Sequence, residues 1–313
     1  MQSRKIDRTT QEFIEMREEM EKILDCGQFI LGEQVAQFEK ELAAYYHKEH
    51  AIGVNSGTDA LWLSLVALGI GRGDEVITTP FTFISPAEVI AQTGATPVFV
   101  DINYDDFLLN PSLITKAITD RTKAIMPIHL FGQACDKRIR EIADMHNLKV
   151  IEDAAQAFGN MDIGWGDTTC FSFHPSKALG AWGDGGAILT DDKKLAEKLR
   201  SLRNHGADLS KGAVGKYHNV LLGFNSRLDE IQASVLRVKL RHFGKPFKRL
   251  KTFRVSNRDT MLELLEKQGL DVKTYYTKPL HTLPVFEYLG YKEGDFPVAE
   301  QATKEVLTLS VYE

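Results

Sequence analysis

The sequence of 313 residues has few cysteines, no long apolar run and no excess of positive charge. Its three cysteines, Cys26, Cys135 and Cys170, are odd in number and far apart, which argues against a disulfide framework and favours a reducing compartment. No apolar run reaches the length of a membrane span, and the polar start lacks the apolar core of a signal peptide. We therefore predict a cytoplasmic protein that does not cross a membrane.

The charged residues also exclude some classes of partner. The chain has 38 Lys and Arg against 43 Asp and Glu, a formal net charge of −5, which lacks the basic excess of a nucleic-acid-binding protein. His47 and His50 are three residues apart, but no third ligand matches them, so we expect no metal site.

Short apolar runs alternate with helix-like stretches over the first two thirds of the chain. This alternation predicts βαβ units, and hence an α/β fold with a mostly parallel central sheet and helices on both faces. Ligands of such sheets bind beyond the carboxyl ends of the strands. The predicted strands are 51–54, 75–79, 96–100, 123–128, 149–152, 169–173 and 186–190. The predicted helices are 57–68, 85–92, 138–146, 193–203 and one that starts at Asn110-Pro111.

The pattern changes after about residue 204. A long helix is predicted over 225–240, a break at Gly244-Lys245-Pro246, a helix over 257–268 and a strand over 272–276. We therefore expect a large domain over 1–204, with an N-terminal helical segment, and a smaller α+β domain over 205–313 that includes the connecting helix.

Three segments carry residue types that suit cofactor chemistry. NSGTDAL (55–61) lies between a strand and a helix, where free N–H groups, hydroxyls and the helix dipole can bind a phosphate; a simple helix cap by Ser56 or Thr58 is the alternative. Asp153 follows an apolar strand, where a carboxylate can pair with a protonated pyridine nitrogen or merely cap a helix. Lys177 lies in a loop after a strand and before a glycine-rich stretch; a lysine that condenses with a carbonyl needs an enclosed site, whereas most lysines are simply exposed.

Taken in order, the segments are specific. NSGTDAL, PFTF, EDAAQAFG, FSFHPSK, GDGGA, RNHG and GFNSRLDEIQA together resemble the DegT/DnrJ/EryC1/StrS family of sugar aminotransferases, which depend on pyridoxal 5′-phosphate (PLP) and share the aspartate aminotransferase fold, PLP fold type I. The resemblance is close over residues 25–240 and looser over 250–313.

The resemblance implies chemical roles for three residues. Lys177 resembles the lysine that carries PLP and then moves a proton between substrate and cofactor. Asp153 resembles the partner of the pyridine nitrogen, and Gln156 the residue near the phenolic oxygen of the ring. Some relatives carry His at the position of Lys177 and catalyse dehydration, so Lys177 favours transamination.

Other positions resemble the family's binding residues. At the PLP phosphate the resemblance places Ser56, Gly57, Thr58 and Ser172, on the ring face Phe83, and at the phosphate from the neighbouring subunit Asn225. The last of these implies a homodimer with shared active sites. We further expect substrate contacts from His174, Tyr276 and His281, which lie in or near the motif segments.

The implied reaction moves an amino group from glutamate to a nucleotide-linked keto-sugar, a dTDP- or UDP-linked 3-keto- or 4-keto-hexose. TPFTFISPAEVI and HLFGQACD resemble 3-aminotransferases for such sugars, whose products enter lipopolysaccharide O-antigen, S-layer glycan or antibiotic pathways. The alternatives are an aminotransferase for a keto-cyclitol, a PLP-dependent sugar dehydratase and a PLP-binding regulatory protein without turnover.

The chain also departs from the family pattern. The stretch after Gly159 is short, and KRLKTFRVSNRDT follows the helix ending near Leu240 about forty residues earlier than in relatives. LTLSVYE resembles a point at which relatives continue. We expect these differences to affect the sugar and nucleotide more than the cofactor.

Overall fold

The computed structural model describes residues 8–244 and 248–312. Its α-helices are α1 (Gln11–Cys26), α2 (Glu33–Tyr45), α3 (Gly57–Ala67), α4 (Ser85–Gln92), α5 (Pro111–Ala117), α6 (Arg138–Met145), α7 (Lys193–Leu202), α8 (Glu230–Arg241), α9 (Arg258–Lys267) and α10 (Pro297–Glu305). Its strands are β1 (His50–Val54), β2 (Glu75–Thr78), β3 (Thr96–Phe99), β4 (Thr122–Ile125), β5 (Lys149–Asp153), β6 (Thr168–Ser172), β7 (Gly186–Thr190), β8 (Lys248–Arg254), β9 (Val272–Lys273) and β10 (Val306–Tyr312). None of the described helices is long and apolar enough to cross a membrane.

Several predicted elements are shorter than expected; the strand predicted over 123–128, for example, ends at Ile125. The helix predicted over 225–240 begins only at Glu230, because residues 225 and 226 are extended and pair with the segment at 203–204. The strand predicted over 272–276 ends at Lys273. By contrast, α4 and β7 have the predicted bounds.

The described contacts group the chain into two compact units. Unit 1 combines Met1–Ala60 with Ser172–Lys245, and unit 2 combines Leu61–Phe171 with Pro246–Glu313. The units are groups of contacting residues and are each built from two stretches of the chain. They do not test the predicted domain boundary at residue 204, which stays a prediction.

Unit 2 contains a parallel sheet with the strand order β6-β5-β4-β2-β3. Its strands are mostly buried, as their continuous apolar runs predict. A second, antiparallel sheet has the order β8-β10-β9. The carboxylate of Asp101 accepts hydrogen bonds at 2.9 Å from the N–H groups of Val298 and Ala299, so it caps α10. The predicted α/β fold with a mostly parallel sheet is confirmed.

Unit 1 contains an antiparallel pair of strands, β1 and β7. A buried ion pair between Glu39 and Arg203 anchors β1. The Gly53 N–H donates to Glu39 at 2.9 Å, and the Arg203 guanidinium donates to the Gly53 carbonyl at 2.7 Å. Both charges are therefore hydrogen-bonded to the strand that leads into the NSGTDAL turn.

Helix α2 has no capping side chain of its own, because its N-cap residue is Gly32. Glu230, in the first turn of α8, supplies one instead. Its buried carboxylate accepts hydrogen bonds from the N–H groups of Gly32, Gln34 and Val35 at 2.8 to 2.9 Å. One carboxylate thus satisfies the open end of α2 and joins it to α8.

We predict that Glu230→Ala lowers the free energy of unfolding by about 2–4 kcal/mol, because three buried N–H groups lose a charged acceptor. Urea unfolding followed by circular dichroism measures the change. The control is Glu33→Ala, which removes an exposed carboxylate from the first turn of the same helix and should cost no more than about 1 kcal/mol. Equal losses in the two variants would contradict the role of Glu230 as the cap.

Candidate active site

The NSGTDAL turn of unit 1 connects β1 to α3. Ser56 Oγ accepts a hydrogen bond from the Asp59 N–H at 3.0 Å, and the Ser56 carbonyl accepts one from Ala60 at 3.0 Å. Ser56 therefore caps α3, as the simple alternative expected. The first turn of α3 begins at Gly57, and the N-terminus of a helix, with its N–H groups and positive dipole end, favours an anion.

The backbone at Gly57 leaves no room for a side chain. A Cβ atom built there would lie 2.6 Å from Ser172 Cβ and 3.1 Å from Ser172 Cα. A Cβ atom at Gly186 would lie 2.3 Å from the Ser56 carbonyl oxygen. The two glycines let the end of β6 and the start of β7 approach the turn, so the Ser172 hydroxyl lies beside the N-terminus of α3. Hydroxyl groups beside a helix N-terminus are the kind of group that binds phosphate in proteins.

Two further residues fix this turn, and sequence reasoning missed both roles. Ser226 Oγ donates to the Asp59 carboxylate at 2.6 Å and accepts from the Asn55 N–H at 3.3 Å. The signal was present, since Asp59 lies within NSGTDAL and Ser226 within GFNSRLDEIQA. The adjacent Asn225 is exposed, so its side chain is accessible to a second molecule.

Lys177 lies in a closed loop between β6 and β7. The loop is joined at its ends, since the Phe173 N–H donates to the Gly185 carbonyl at 2.7 Å and the Ala181 N–H to the Phe173 carbonyl at 2.8 Å. The Lys177 N–H donates to the His174 carbonyl at 2.8 Å. Lys177 itself is half-buried.

His174 stabilises the same loop from within. Its Nδ1 lies 2.9 Å from Ser176 Oγ and accepts the Ser176 N–H at 3.2 Å. Its own N–H donates to Ser172 Oγ at 3.4 Å. Ser172 therefore contacts both the NSGTDAL turn and the loop that carries Lys177.

Asp153 ends β5 in unit 2 and is buried. Its N–H donates to Pro127, its carbonyl accepts from His129, both at 2.9 Å, and its Oδ1 accepts from the Ala155 N–H at 2.9 Å. The backbone is thus held on both sides and the carboxylate is oriented by the next turn. This is a carboxylate at the carboxyl end of a parallel strand, as predicted.

A buried network braces the strand beside Asp153. Both side chains of the Glu152–His129 pair are fully buried and lie 2.9 Å apart. His129 Nδ1 accepts the Cys135 N–H at 3.0 Å, so its proton lies on Nε2 and points to Glu152. Burial alone would raise the pKa of Glu152, but hydrogen bonds from His129, Thr169 and Gly166 outweigh it and hold the pKa below its usual value.

Gln156 and Tyr276 lie together in unit 2. Gln156 Nε2 donates to the Tyr276 hydroxyl at 3.0 Å, and its Oε1 accepts from the Phe131 N–H at 2.9 Å. Burial raises the pKa of Tyr276, so the phenol stays protonated at neutral pH. The charge of Asp153 also raises this pKa, whereas a hydrogen bond with the Phe83 backbone lowers it. Phe83 is 58% exposed, which leaves a ring face available for stacking. Unit 2 therefore groups Phe83, Asp153, Gln156 and Tyr276.

The position of His281 corrects one expectation. Its side chain is fully buried, lies 3.1 Å from Glu300 and packs against Phe296 with ring centroids 4.7 Å apart. An imidazole so enclosed holds α10 and does not reach a substrate, so we leave His281 out of the site. Within 8–244 and 248–312, no cluster of His, Cys, Asp and Glu is arranged to hold a metal ion.

Comparison with known proteins identifies the family of the chain. The sequence model of the DegT/DnrJ/EryC1/StrS aminotransferase family matches residues 11–253 and 248–313. The chain belongs to this family. The predicted enzyme class, a PLP-dependent sugar aminotransferase, is confirmed with it.

Three similar proteins illustrate the range of the family. The chain is 41% identical to a pleiotropic regulatory protein of Geobacillus stearothermophilus, with 97% of this chain and 92% of that protein covered. It is 41% identical to dTDP-3-amino-3,4,6-trideoxy-alpha-D-glucose transaminase of Streptomyces venezuelae, with 93% and 85% covered. The crystal structure of S. venezuelae DesV with a ketimine intermediate superposes with a TM-score of 0.89 at 40% identity, covering 96% of this chain and 89% of that one.

The alignments also concern the stretches in which the chain is shorter than the family pattern. The alignment to the Geobacillus protein runs over 347 positions, more than the 313 residues of this chain, so that protein contains segments that this chain lacks. The two ranges that the family model matches overlap at residues 248–253, shortly after the end of α8.

We predict that Gly57→Ala weakens PLP retention at least tenfold and lowers the free energy of unfolding by about 1–3 kcal/mol, because the new methyl group must displace Ser172. Absorbance of bound PLP after dialysis measures retention. The control is Gly71→Ala, where the nearest atom to the new Cβ is the Thr93 carbonyl oxygen at 3.5 Å. Unchanged retention in the Gly57 variant would show that this turn does not bind the phosphate.

Proposed function

We propose that this protein uses PLP to transfer the amino group of glutamate to a nucleotide-linked keto-hexose. The main support for the proposal is the position of Ser172, which approaches Gly57 in the NSGTDAL turn and accepts a hydrogen bond from His174 in the loop of Lys177. Ser172 therefore links the proposed phosphate site to the loop of the half-buried Lys177 within unit 1. PLP carries a phosphate and a carbonyl, the two groups that such a pair would bind.

The residues present fit the cofactor. The first turn of α3, Thr58 and Ser172 would hold its phosphate, and Lys177 its carbonyl carbon. From unit 2, Asp153 would pair with the ring nitrogen, Gln156 would lie near the phenolic oxygen and Phe83 would stack on the ring. When bound, PLP supplies an electron sink for the substrate carbon that loses a proton.

Two side chains of the protein, Lys177 and Asp153, have proposed acid–base roles. With PLP bound, Lys177 Nζ would serve as the general base and acid that accepts and returns the substrate proton. The carboxylate of Asp153 would keep the ring nitrogen protonated through a charge pair. The buried bracing of β5 by Glu152 and His129 keeps that carboxylate in place.

The substrate in this proposal is a dTDP- or UDP-linked 3-keto- or 4-keto-hexose, and position 3 is favoured by the transaminase of S. venezuelae, whose name describes a 3-amino sugar. Tyr276 and His174 are the proposed substrate contacts. The product would be a nucleotide-linked amino sugar made in the cytoplasm for lipopolysaccharide O-antigen or a related glycan.

A second candidate is a PLP-binding regulatory protein. The similarity to the Geobacillus pleiotropic regulatory protein favours it, as do the segments this chain lacks. A keto-cyclitol aminotransferase would use the same cofactor residues. A sugar dehydratase is disfavoured, because the relatives that catalyse dehydration carry His at the position of Lys177.

A panel of dTDP- and UDP-linked keto-sugars, assayed with glutamate, separates these functions. We expect 2-oxoglutarate and an amino sugar from at least one of them. Lys177→Ala should remain folded by circular dichroism and lose at least about a thousandfold in kcat, because the proton carrier is removed. A protein that binds PLP but releases no 2-oxoglutarate with any acceptor would favour the regulatory function.

The proposed assembly is a homodimer in which the exposed Asn225 reaches the phosphate bound by the partner. We predict that Asn225→Ala lowers PLP affinity about tenfold, because one amide hydrogen bond to a charged group is lost. Equilibrium dialysis and light scattering measure affinity and mass. A monomer with wild-type PLP affinity would refute the shared site. Asn219→Ala, in the same segment, is the control.

A further inference from the structure

Helix α8 contacts the loop of Lys177 at two points. Gln232 Oε1 accepts the Trp182 N–H at 2.8 Å, and a Cβ atom at Gly183 would lie 3.0 Å from Gln232 Nε2. One glutamine thus contacts the loop on the side facing α8, and a side chain at Gly183 would make Gln232 shift by a few tenths of an ångström.

The second contact is a charged one. Lys239 Nζ donates a hydrogen bond to the Gly180 carbonyl, and Lys239 is half-buried. Burial lowers the pKa of Lys239, while Glu12 of α1 acts to raise it. Gln232 and Lys239 are seven residues apart, two helical turns, so they lie on the same face of α8.

A displacement at Gly180 passes directly to the residues before Lys177. A Cβ atom at Gly180 would lie 2.8 Å from the Pro175 carbonyl oxygen and 3.1 Å from Pro175 Cα. The two backbones are therefore in contact, and Pro175 is two residues before Lys177. Holding Gly180 against α8 therefore also restrains the segment that leads to Lys177.

The helix that provides these contacts is itself supported. Met16 of α1 packs with Val235 and Val238 of α8, and Phe13 lies 5.9 Å from the Trp182 ring. Trp182 is therefore held twice, by the hydrogen bond of its N–H to Gln232 and by the contact of its ring with α1. The loop is therefore held by a rigid surface.

We propose that Gln232 and Lys239 are positioning residues that hold the loop of Lys177 against α8 and so set the direction from which Lys177 meets the cofactor. The proposal rests on Lys177 as the PLP lysine. Neither residue needs to touch substrate or cofactor for this role.

Hydrogen exchange of the cofactor-free protein tests the restraint itself. In Lys239→Met we expect amides of residues 176–183 to exchange on the order of tenfold faster, because a charged donor is lost, with the rest of unit 1 unchanged. Lys239→Arg keeps a donor and should restore most of the protection. Lys194→Met, which removes an exposed lysine of α7, is the control.

The PLP-loaded protein gives the second readout. In Lys239→Met the pH midpoint of the visible absorbance of bound PLP should shift and kcat should fall about tenfold, with KM for glutamate within about threefold, since orientation and not substrate binding is changed. If Lys239→Met fails to fold, Gln232→Met must release the amides of 181–184 in the same way.

The results separate the inference from the proposed function. Loop exchange equal to wild type, or faster exchange spread evenly over unit 1, would overturn the positioning role even if PLP binds at Lys177. A loosened loop with an unchanged absorbance midpoint would also overturn it. A wild-type protein that binds no PLP would instead refute the proposed function.

Discussion

The close approach of Gly57 to Ser172 is the constraint on which the rest of unit 1 depends. Without a Cβ atom at residue 57, the end of β6 lies against the first turn of α3, so that a hydroxyl joins the N–H groups of a helix terminus. The same serine accepts a hydrogen bond from the first residues of the Lys177 loop. One steric requirement therefore sets the spacing between an anion site and an amine.

Buried polar groups hold the two sets of functional residues in place. In unit 1 the Ser226–Asp59 hydrogen bond fixes the phosphate turn, and in unit 2 the Glu152–His129 pair fixes the strand that ends at Asp153. Buried charges are costly unless their hydrogen bonds are satisfied. Glu152 accepts from His129, Thr169, Gly164 and Gly166, which satisfies it and makes the strand end rigid.

The sequence allowed the fold class, most strand and helix positions and the family to be predicted, because the periodicity is strong and the motifs are local. It did not reveal the antiparallel pairing of β1 with β7, since direction is set by topology, or the extended residues 225 and 226, since their partners lie at 203–204. Nor did it show that His281 is enclosed by Glu300 and Phe296. Each of these depends on contacts between residues distant in the chain.

The central claim is that the amine at position 177 is the one that bonds to PLP. Borohydride reduction of the loaded protein, followed by peptide mass mapping, locates that bond. We expect a single modified peptide, with the added mass on Lys177. Lys239 is the natural competitor, because it is half-buried, burial lowers its pKa and it binds the same loop. Modification of Lys239, or of no lysine, would contradict the account.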